Sequence, residues 1–532
     1  MIIKLRKTKS VSGLILLSLL MSCATVQPEI ELPEASSAYG PEQPTLSPLS
    51  FQATDNYDIW QRVREGFALK DHGHPGVAAD VRWYARHQKY LDRVSERAEN
   101  YMFYIMEEVE KRGMPSEMAL LPVVESAFHP FAYSHGRAAG IWQFIPYTGK
   151  HYGMKQNWWY DGRRDIHAST IGALNYLSHL HKRLNNDWLL ALAAYNSGEG
   201  NVRKALRKSR RKGGGSDFWS IRRYLPKETR GYVPKLLAIS VIVKDPQAHG
   251  VSLLSIPDRP MLTKVDIGSQ IDLALVAELA ELSIEEVYKI NPGFNRWSTA
   301  PNGPHYLMLP IDNAAVFKAN LIDVPDKARV RWKRYKVRNG DNLQYIAQKH
   351  HTTVKQLKKV NRIRGNSIRA GKHLIIPMAS KSYRAYKLTA DARKSRKQHI
   401  PRGGKKIFHH VQSGDTLWDL ARKHKISVHK LAKWNSMAPR DPLVAGQKIV
   451  IWSRVKKTAT VDPRNFRIPV KGANTRRIRY AVRNGDSLAR ISQKFNVSVS
   501  QLMRWNKKVR SQKYLRPGQR LTLYVSVTSQ SS

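Results

Sequence analysis

Cysteine is all but missing from this 532-residue chain: Cys23 stands alone, so no internal disulfide can form. Its compact parts must be held by apolar cores, and hydrophobic residues, at 42%, suffice to build them. Acidic residues are scarce. Ninety Lys and Arg face 41 Asp and Glu, a formal net charge of +49. Such a surplus attracts polyanions over long range without selecting among nucleic acid, anionic lipid and acidic wall polymer. The basic residues are scattered through tails and linkers, and the usual nucleic-acid motifs are missing, so nucleic acid is not expected as a partner. No metal or cofactor is expected either. The apolar run Val11 to Met21 falls short of the roughly 20 residues that a membrane span requires.

That run follows a basic segment and ends in Leu20-Met21-Ser22-Cys23, so residues 1–22 read as a secretory signal. The ending resembles the lipobox of bacterial lipoproteins. The resemblance implies cleavage before Cys23, acylation of Cys23 and a lipid anchor. Ala24 in place of aspartate implies retention at the periplasmic face of the outer membrane. The alternative is an uncleaved anchor with an incidental cysteine. Residues 23–56, rich in Pro, Ser and Glu, read as a tether.

At about 100–200 residues per domain, the chain should hold three to five units. Residues 57–250 carry a helical signal, with Leu174, Leu177, Leu180 and Leu184 spaced by three and four. The basic, glycine-rich segment Arg207 to Gly215 reads as an exposed loop. No strand alternation is evident before about residue 260.

The C-terminal half repeats itself. Tyr335-Lys-Val-Arg-Asn-Gly-Asp341, His409-His-Val-Gln-Ser-Gly-Asp415 and Tyr480-Ala-Val-Arg-Asn-Gly-Asp486 open three units in one register. Leucines follow at matched offsets, then Asn361, Asn435 and Asn506, then a late glycine and an apolar residue. The alternating start predicts a strand. Gly340-Asp341, Gly414-Asp415 and Gly485-Asp486 predict a turn whose aspartate caps the next helix. Each unit should run strand, helix, helix, strand, over 335–378, 409–452 and 480–524. The units resemble LysM domains, modules that bind N-acetylglucosamine-containing glycans; the resemblance implies glycan-binding roles for those glycines, aspartates and asparagines. An eroded copy at 265–312 keeps Leu273, Ala277, Val287 and Asn291 but has Gln270-Ile271 where Gly-Asp is expected. Basic linkers such as Ser380 to Lys406 are expected to stay flexible.

Three clusters between residues 120 and 200 could carry chemistry. Leu120-Leu-Pro-Val-Val-Glu125-Ser126 sets a glutamate at the end of an apolar run, where burial would raise its pKa into the range of a general acid. Gly140-Ile-Trp-Gln143-Phe144 and Ala193-Ala-Tyr195-Asn196-Ser-Gly198 follow. Singly, each has a structural reading: a satisfied buried carboxyl, aromatic packing at a turn, a helix end with Asn196 at the cap.

In order and together, with Ser134-His-Gly136 and Leu225-Pro-Lys-Glu-Thr-Arg-Gly-Tyr232-Val-Pro, they resemble lytic transglycosylases of goose-type lysozyme fold over roughly 105–245. The resemblance implies a multidomain protein: an α-helical, lysozyme-like (goose-type) catalytic domain followed by small βααβ LysM repeats. It implies peptidoglycan glycan strands as substrate and Glu125 as the single acid and base. Gln143 and Tyr195 would contact sugar or position Glu125, Ser126 would orient the carboxylate, and Asn196 would support the groove. Ordinary glycosidases use two carboxylates. Here the sugar's 2-acetamido group would assist, and Glu125 would protonate the bridging oxygen between N-acetylmuramic acid and N-acetylglucosamine. It would then deprotonate the C6 hydroxyl to close a 1,6-anhydro ring. A lysozyme-type hydrolase and a non-catalytic wall-binding scaffold are the alternatives. Asp161, Asp165 and Glu199, read as helix-end or surface groups, are the partner candidates if water is the nucleophile.

Overall fold

The computed structural model describes residues 58–453 and 475–526, less 484–485, 496, 507–508, 510–514 and 516. Cys23, the apolar run before it, the tether and Gly485 lie outside the described residues.

Helices dominate up to about residue 250, and their starts follow side-chain capping. Asp58, Asp165, Asp187 and Asp217 each accept from a backbone N–H in the first turn of Ile59–Glu65, Ile166–Arg183, Trp188–Ser197 and Phe218–Ile221. Trp188–Ser197 is apolar on nearly every side, with Leu189 through Ala194 buried, because it runs through the middle of the core. It packs between Ile166–Arg183 and Lys227–Lys244. The latter holds Pro234 in its interior. Proline has no N–H to give the carbonyl four residues back. Arg222 supplies the missing donor: its Nε reaches the Arg230 carbonyl at 2.8 Å.

Two expectations fail in this region and beyond. The first fails in part: Arg207 to Arg211 continues the helix Glu199–Arg211, which buries Val202, Ala205 and Ser209 on one stripe while its basic face stays in water, and only Lys212 to Gly215 is loop. The segment Ser380 to Lys406 is anchored at several points and contains the helix Ala390–His399. Tyr386 is fully buried, its hydroxyl donating to Asp272 at 2.8 Å, and the Ser380 N–H donates to the same carboxylate at 2.7 Å. Gln398 donates to Asn435 at 2.8 Å.

The first strand, Leu262–Asp266, pairs antiparallel with Tyr306–Pro310, with two short helices between them. This unit is fused to the helical region through a shared core that includes Trp159, Tyr160 and Phe294. Three further two-stranded antiparallel sheets follow: Arg331–Lys336 with His373–Met378, Lys405–His410 with Lys448–Ser453, and Thr475–Ala481 with Arg520–Ser526. Each encloses two seven-residue helices and has its own small core.

Candidate active site

Glu125 lies one residue from the end of the short helix Leu121–Ser126, which Pro122 opens and Ala127 closes in the left-handed conformation. The helix interior faces the core through Leu121, Pro122 and Val123. This leaves the glutamate partly exposed in the wall of a cleft of about 610 Å3. Its apolar surroundings push the carboxyl up to about 7. Two smaller influences oppose each other: a hydrogen bond from Tyr232 lowers the value, and the charge of Glu228 raises it. The Tyr232 hydroxyl donates to Oε1 at 2.6 Å. With Oε1 engaged as an acceptor, Oε2 is the oxygen left to carry the acidic proton.

The opposite wall comes from Gly140 to Phe144. Gly140 has φ +81°, and a Cβ there would stand 1.9 Å from the Arg163 carbonyl oxygen, so only glycine fits. Beneath this loop the Arg163 guanidinium donates to the carbonyls of Arg137 and Phe144 and is held by Asp161 at 2.8 Å. Trp142 is buried, donating to Thr170 Oγ1 at 3.0 Å. Gln143, at φ +50°, donates to the Gly140 carbonyl at 2.7 Å. The Tyr195 hydroxyl donates to the Trp142 carbonyl at 2.9 Å, and burial holds that phenol far above its usual range.

Glu125, Gln143, Tyr195 and Asn196 therefore line one cleft. Ser126 does not join them: its hydroxyl donates to the Ile141 carbonyl at 3.0 Å, tying the two walls together, and it borders a neighbouring cavity. Asn196 is not the helix cap, which is Gly198; its side-chain oxygen accepts from Thr229 at 2.7 Å. Asp161 is buried between Arg163 and Arg164, Asp165 caps its helix, and Glu199 pairs with Arg183 and Arg203. None of the three lines the cleft. Glu228 does; it and Tyr232 belong to the Leu225 to Pro234 motif quoted from sequence, which assigned neither a role in the site. Both lie over a hundred residues from Glu125, where no local pattern links them.

In the repeats the aspartate is not the helix cap. Asn342, Thr416 and Ser487, one residue later, accept from the first-turn N–H groups. The aspartate instead closes the preceding turn. Asp341 accepts from the Tyr335 hydroxyl and the Arg338 N–H, and Asp486 from Tyr480 and Arg483 in the same way. Asp415 accepts from the Gln412 N–H and lies 2.6 Å from His409 Nε2. Gly340 and Gly414 precede them at φ +84° and +89°, outside the range of other residues. Asn361, Asn435 and Asn506 each exchange two hydrogen bonds with one residue of the last strand, Ile375, Val450 and Thr522. Asn291 does the same with Met308 in the eroded unit.

Among the described residues there is no cluster of three or more His, Cys, Asp or Glu able to hold a metal, and no helix long and apolar enough to cross a membrane.

Comparison with known proteins matches residues 102–218 to the transglycosylase SLT domain, 261–325 to the lytic transglycosylase MltD LysM-like domain, and 335–377, 409–452 and 480–523 to the LysM domain. Membrane-bound lytic murein transglycosylase D of Escherichia coli (strain K12) is 36% identical over 400 residues, 73% of this chain and 85% of that protein. The chain belongs to the lytic murein transglycosylase D family. Its architecture is that of the family: a helical, lysozyme-like SLT domain followed by LysM units, the first of which is the MltD-type variant in which Gln270-Ile271 replace Gly-Asp. Among solved structures, an inactive mutant of the lytic transglycosylase Slt from Pseudomonas aeruginosa aligns over 27% of this chain and 24% of its own, at 28% identity and TM-score 0.22.

Proposed function

We propose that this member of the lytic murein transglycosylase D family cuts the glycan strands of peptidoglycan between N-acetylmuramic acid and N-acetylglucosamine, with Glu125 as the one group that both gives and takes the proton. The observation that carries this reading is the Glu125 carboxyl itself. It faces a glycan-sized cleft, is held by Tyr232, and titrates at about 7, so it is protonated in a large share of molecules at neutrality.

In the first step the Oε2 proton passes to the bridging oxygen as the glycosidic bond breaks. The sugar's acetamido oxygen shields the anomeric carbon on its other face. In the second step the carboxylate removes the C6 hydroxyl proton, and O6 closes on C1. Glu125 ends the cycle protonated, as it began, and no water is consumed. Partly buried Tyr195 and buried Gly140 support the wall against which the strand would lie, and Gln143, its Nε2 held by the Gly140 carbonyl, has its amide oxygen left for the sugar.

A second reading has an observation in its favour: Glu228 puts another carboxylate in the same cleft, where it could activate water. Mass spectrometry of the products decides between them. Anhydro ends support ring closure; fragments heavier by one water identify a hydrolase.

Family membership makes this a membrane-associated protein of the cell envelope. We further propose that acylation of Cys23 anchors it to the outer membrane, facing the periplasm, and that the LysM repeats hold the wall. Cys23→Ala should release the protein from membranes in fractionation, since stable attachment needs more than one acyl chain. A Cys23→Ala protein that stays on the outer membrane would assign the anchoring to another segment.

A further inference from the structure

A cavity of about 880 Å3 lies beside the cleft, walled off from it by the segment Phe131 to Gly136. Phe131, Ala132 and Tyr133 face the cavity, whereas Ser134, His135 and Gly136 face the cleft. Its walls come from the helical domain, the eroded repeat, the linker helix Ala390–His399 and the end of a helix in the second LysM unit.

The lining is strongly basic. Arg97, Arg164, Lys289, Arg393, Lys394, Arg396 and Lys397 outnumber two carboxylates, Glu96 and Asp391. Asp391 is already engaged with Arg296 at 2.9 Å. The cations are only partly compensated: Arg164 meets Asp161 at 3.3 Å, and Arg393 donates to the Leu388 carbonyl. Arg164 Nε is buried without a hydrogen-bond partner. Arg393 lies over the Phe131 ring at 4.4 Å, and burial, with the nearby Arg164 charge, lowers its pKa to about 9. Grouping like charges at a partly desolvated surface is unfavourable unless an anion enters.

We propose that this cavity binds the free carboxylates of the peptide branches borne by the glycan strand in the cleft. The inference rests on the proposed cleavage of peptidoglycan. The connection is geometric. Glu125 lines the cleft and its neighbour Ser126 lines the cavity. A four-residue branch extends about 13 Å, and the segment Phe131 to Gly136 is what divides the cleft from the cavity. Arginines suit paired recognition of carboxylates. Phe131, Leu388 and Met437 offer apolar contact to the branch backbone.

The test is a titration of the full-length protein with the free peptide branch released from peptidoglycan by an amidase. Saturable binding that weakens with salt is expected. Lys289 and Lys397 stand exposed at the rim. Reversing both, Lys289→Glu with Lys397→Glu, should weaken binding at least tenfold, the scale of one lost charge-assisted hydrogen bond. Reversing a distant exposed lysine, Lys212→Glu, controls for net charge and should change it little. A branch whose carboxyls are converted to amides should not bind. Unaltered affinity in the double variant, or equal binding of the amidated branch, overturns the proposal. In cleavage assays, kcat/KM on branched strands relative to amidase-stripped strands should fall about tenfold in the double variant. An equal fall on both strand types overturns it as well. The titration requires no turnover, so a wild-type protein that cuts neither strand refutes the cleavage reading and leaves the cavity tested on its own terms.

Discussion

In the proposed cycle Glu125 releases a proton and then recovers it, and a carboxyl near 7 suits both halves. Replacing it by glutamine keeps the shape and removes the proton. Glu125→Gln should retain the fold by circular dichroism and lose about 10⁴-fold in turnover, the upper end for acid–base catalysis, because one group serves two steps. The raised pKa also has a stability consequence. A carboxyl at about 7 in the fold and near 4.5 when unfolded binds more protons in the native state between those values. Stability contributed by this group is therefore present below pH 4.5 and lost as the pH climbs through 7. Glu125→Gln should match the wild-type stability at low pH and exceed it above pH 7 by on the order of 2 kcal/mol, read as a higher melting temperature. Equal melting curves at pH 8 would show that the carboxyl is not held in an apolar setting. Tyr232→Phe removes the hydrogen bond that counteracts burial. The alkaline limb of its kcat/KM profile should move to higher pH, with a reduced maximum. A downward move would contradict the hydrogen bond's assigned effect.

At the scale of elements, the cleft wall depends on Gly140 and each LysM unit on its asparagine. Gly140→Ala places a methyl group against the Arg163 carbonyl and should cost more than about 3 kcal/mol, with activity lost in step. Asn435→Ala leaves the Val450 N–H and carbonyl unpaired in a buried setting and should destabilise that unit by about 2–4 kcal/mol. Hydrogen exchange localised to residues 409–452 would report it. Much at this scale was legible in sequence. The leucine row of Ile166–Arg183 is buried as its spacing requires, because an amphipathic stripe records which face meets the core. Family, helical catalytic fold and transglycosylase class followed from motifs in order. Other features left no such trace. In Glu199–Arg211 three small or medium residues form the buried stripe, too few to stand out among eight charged or polar neighbours. The linker helix is secured by Tyr386, Gln398 and Arg393, polar anchors that a count of apolar residues overlooks. The capping residue in each repeat was misplaced by one because aspartate and the Asn, Thr or Ser after it cap equally well in principle.

Taken whole, the molecule divides its labour unevenly along the tail. Asp272 loses its partners Ser380 and Tyr386 if the chain stops at residue 378, leaving a buried carboxylate short of donors. That truncation should lower the melting temperature of the catalytic region by several degrees, whereas stopping at residue 453 should leave it unchanged. Sacculus binding should behave differently. Linked repeats act at high effective concentration, so removing all three should cut retention by about 10²–10⁴-fold while short soluble glycans are still cut, and removing one should matter less than proportionally. Co-sedimentation with purified sacculi measures this. Failure of residues 330–526 to sediment would leave the repeats as spacers.

The asparagine clamp has a consequence for how such a tail could have arisen. Each unit is closed by a bond pair made wholly within itself, so a copy inserted or dropped by duplication leaves its neighbours able to fold. The unit with Asn291 keeps the clamp although its Gly-Asp turn is gone and it has fused to the enzyme. A unit of this kind can therefore lack the turn pair and still close, whereas the clamp is common to all four.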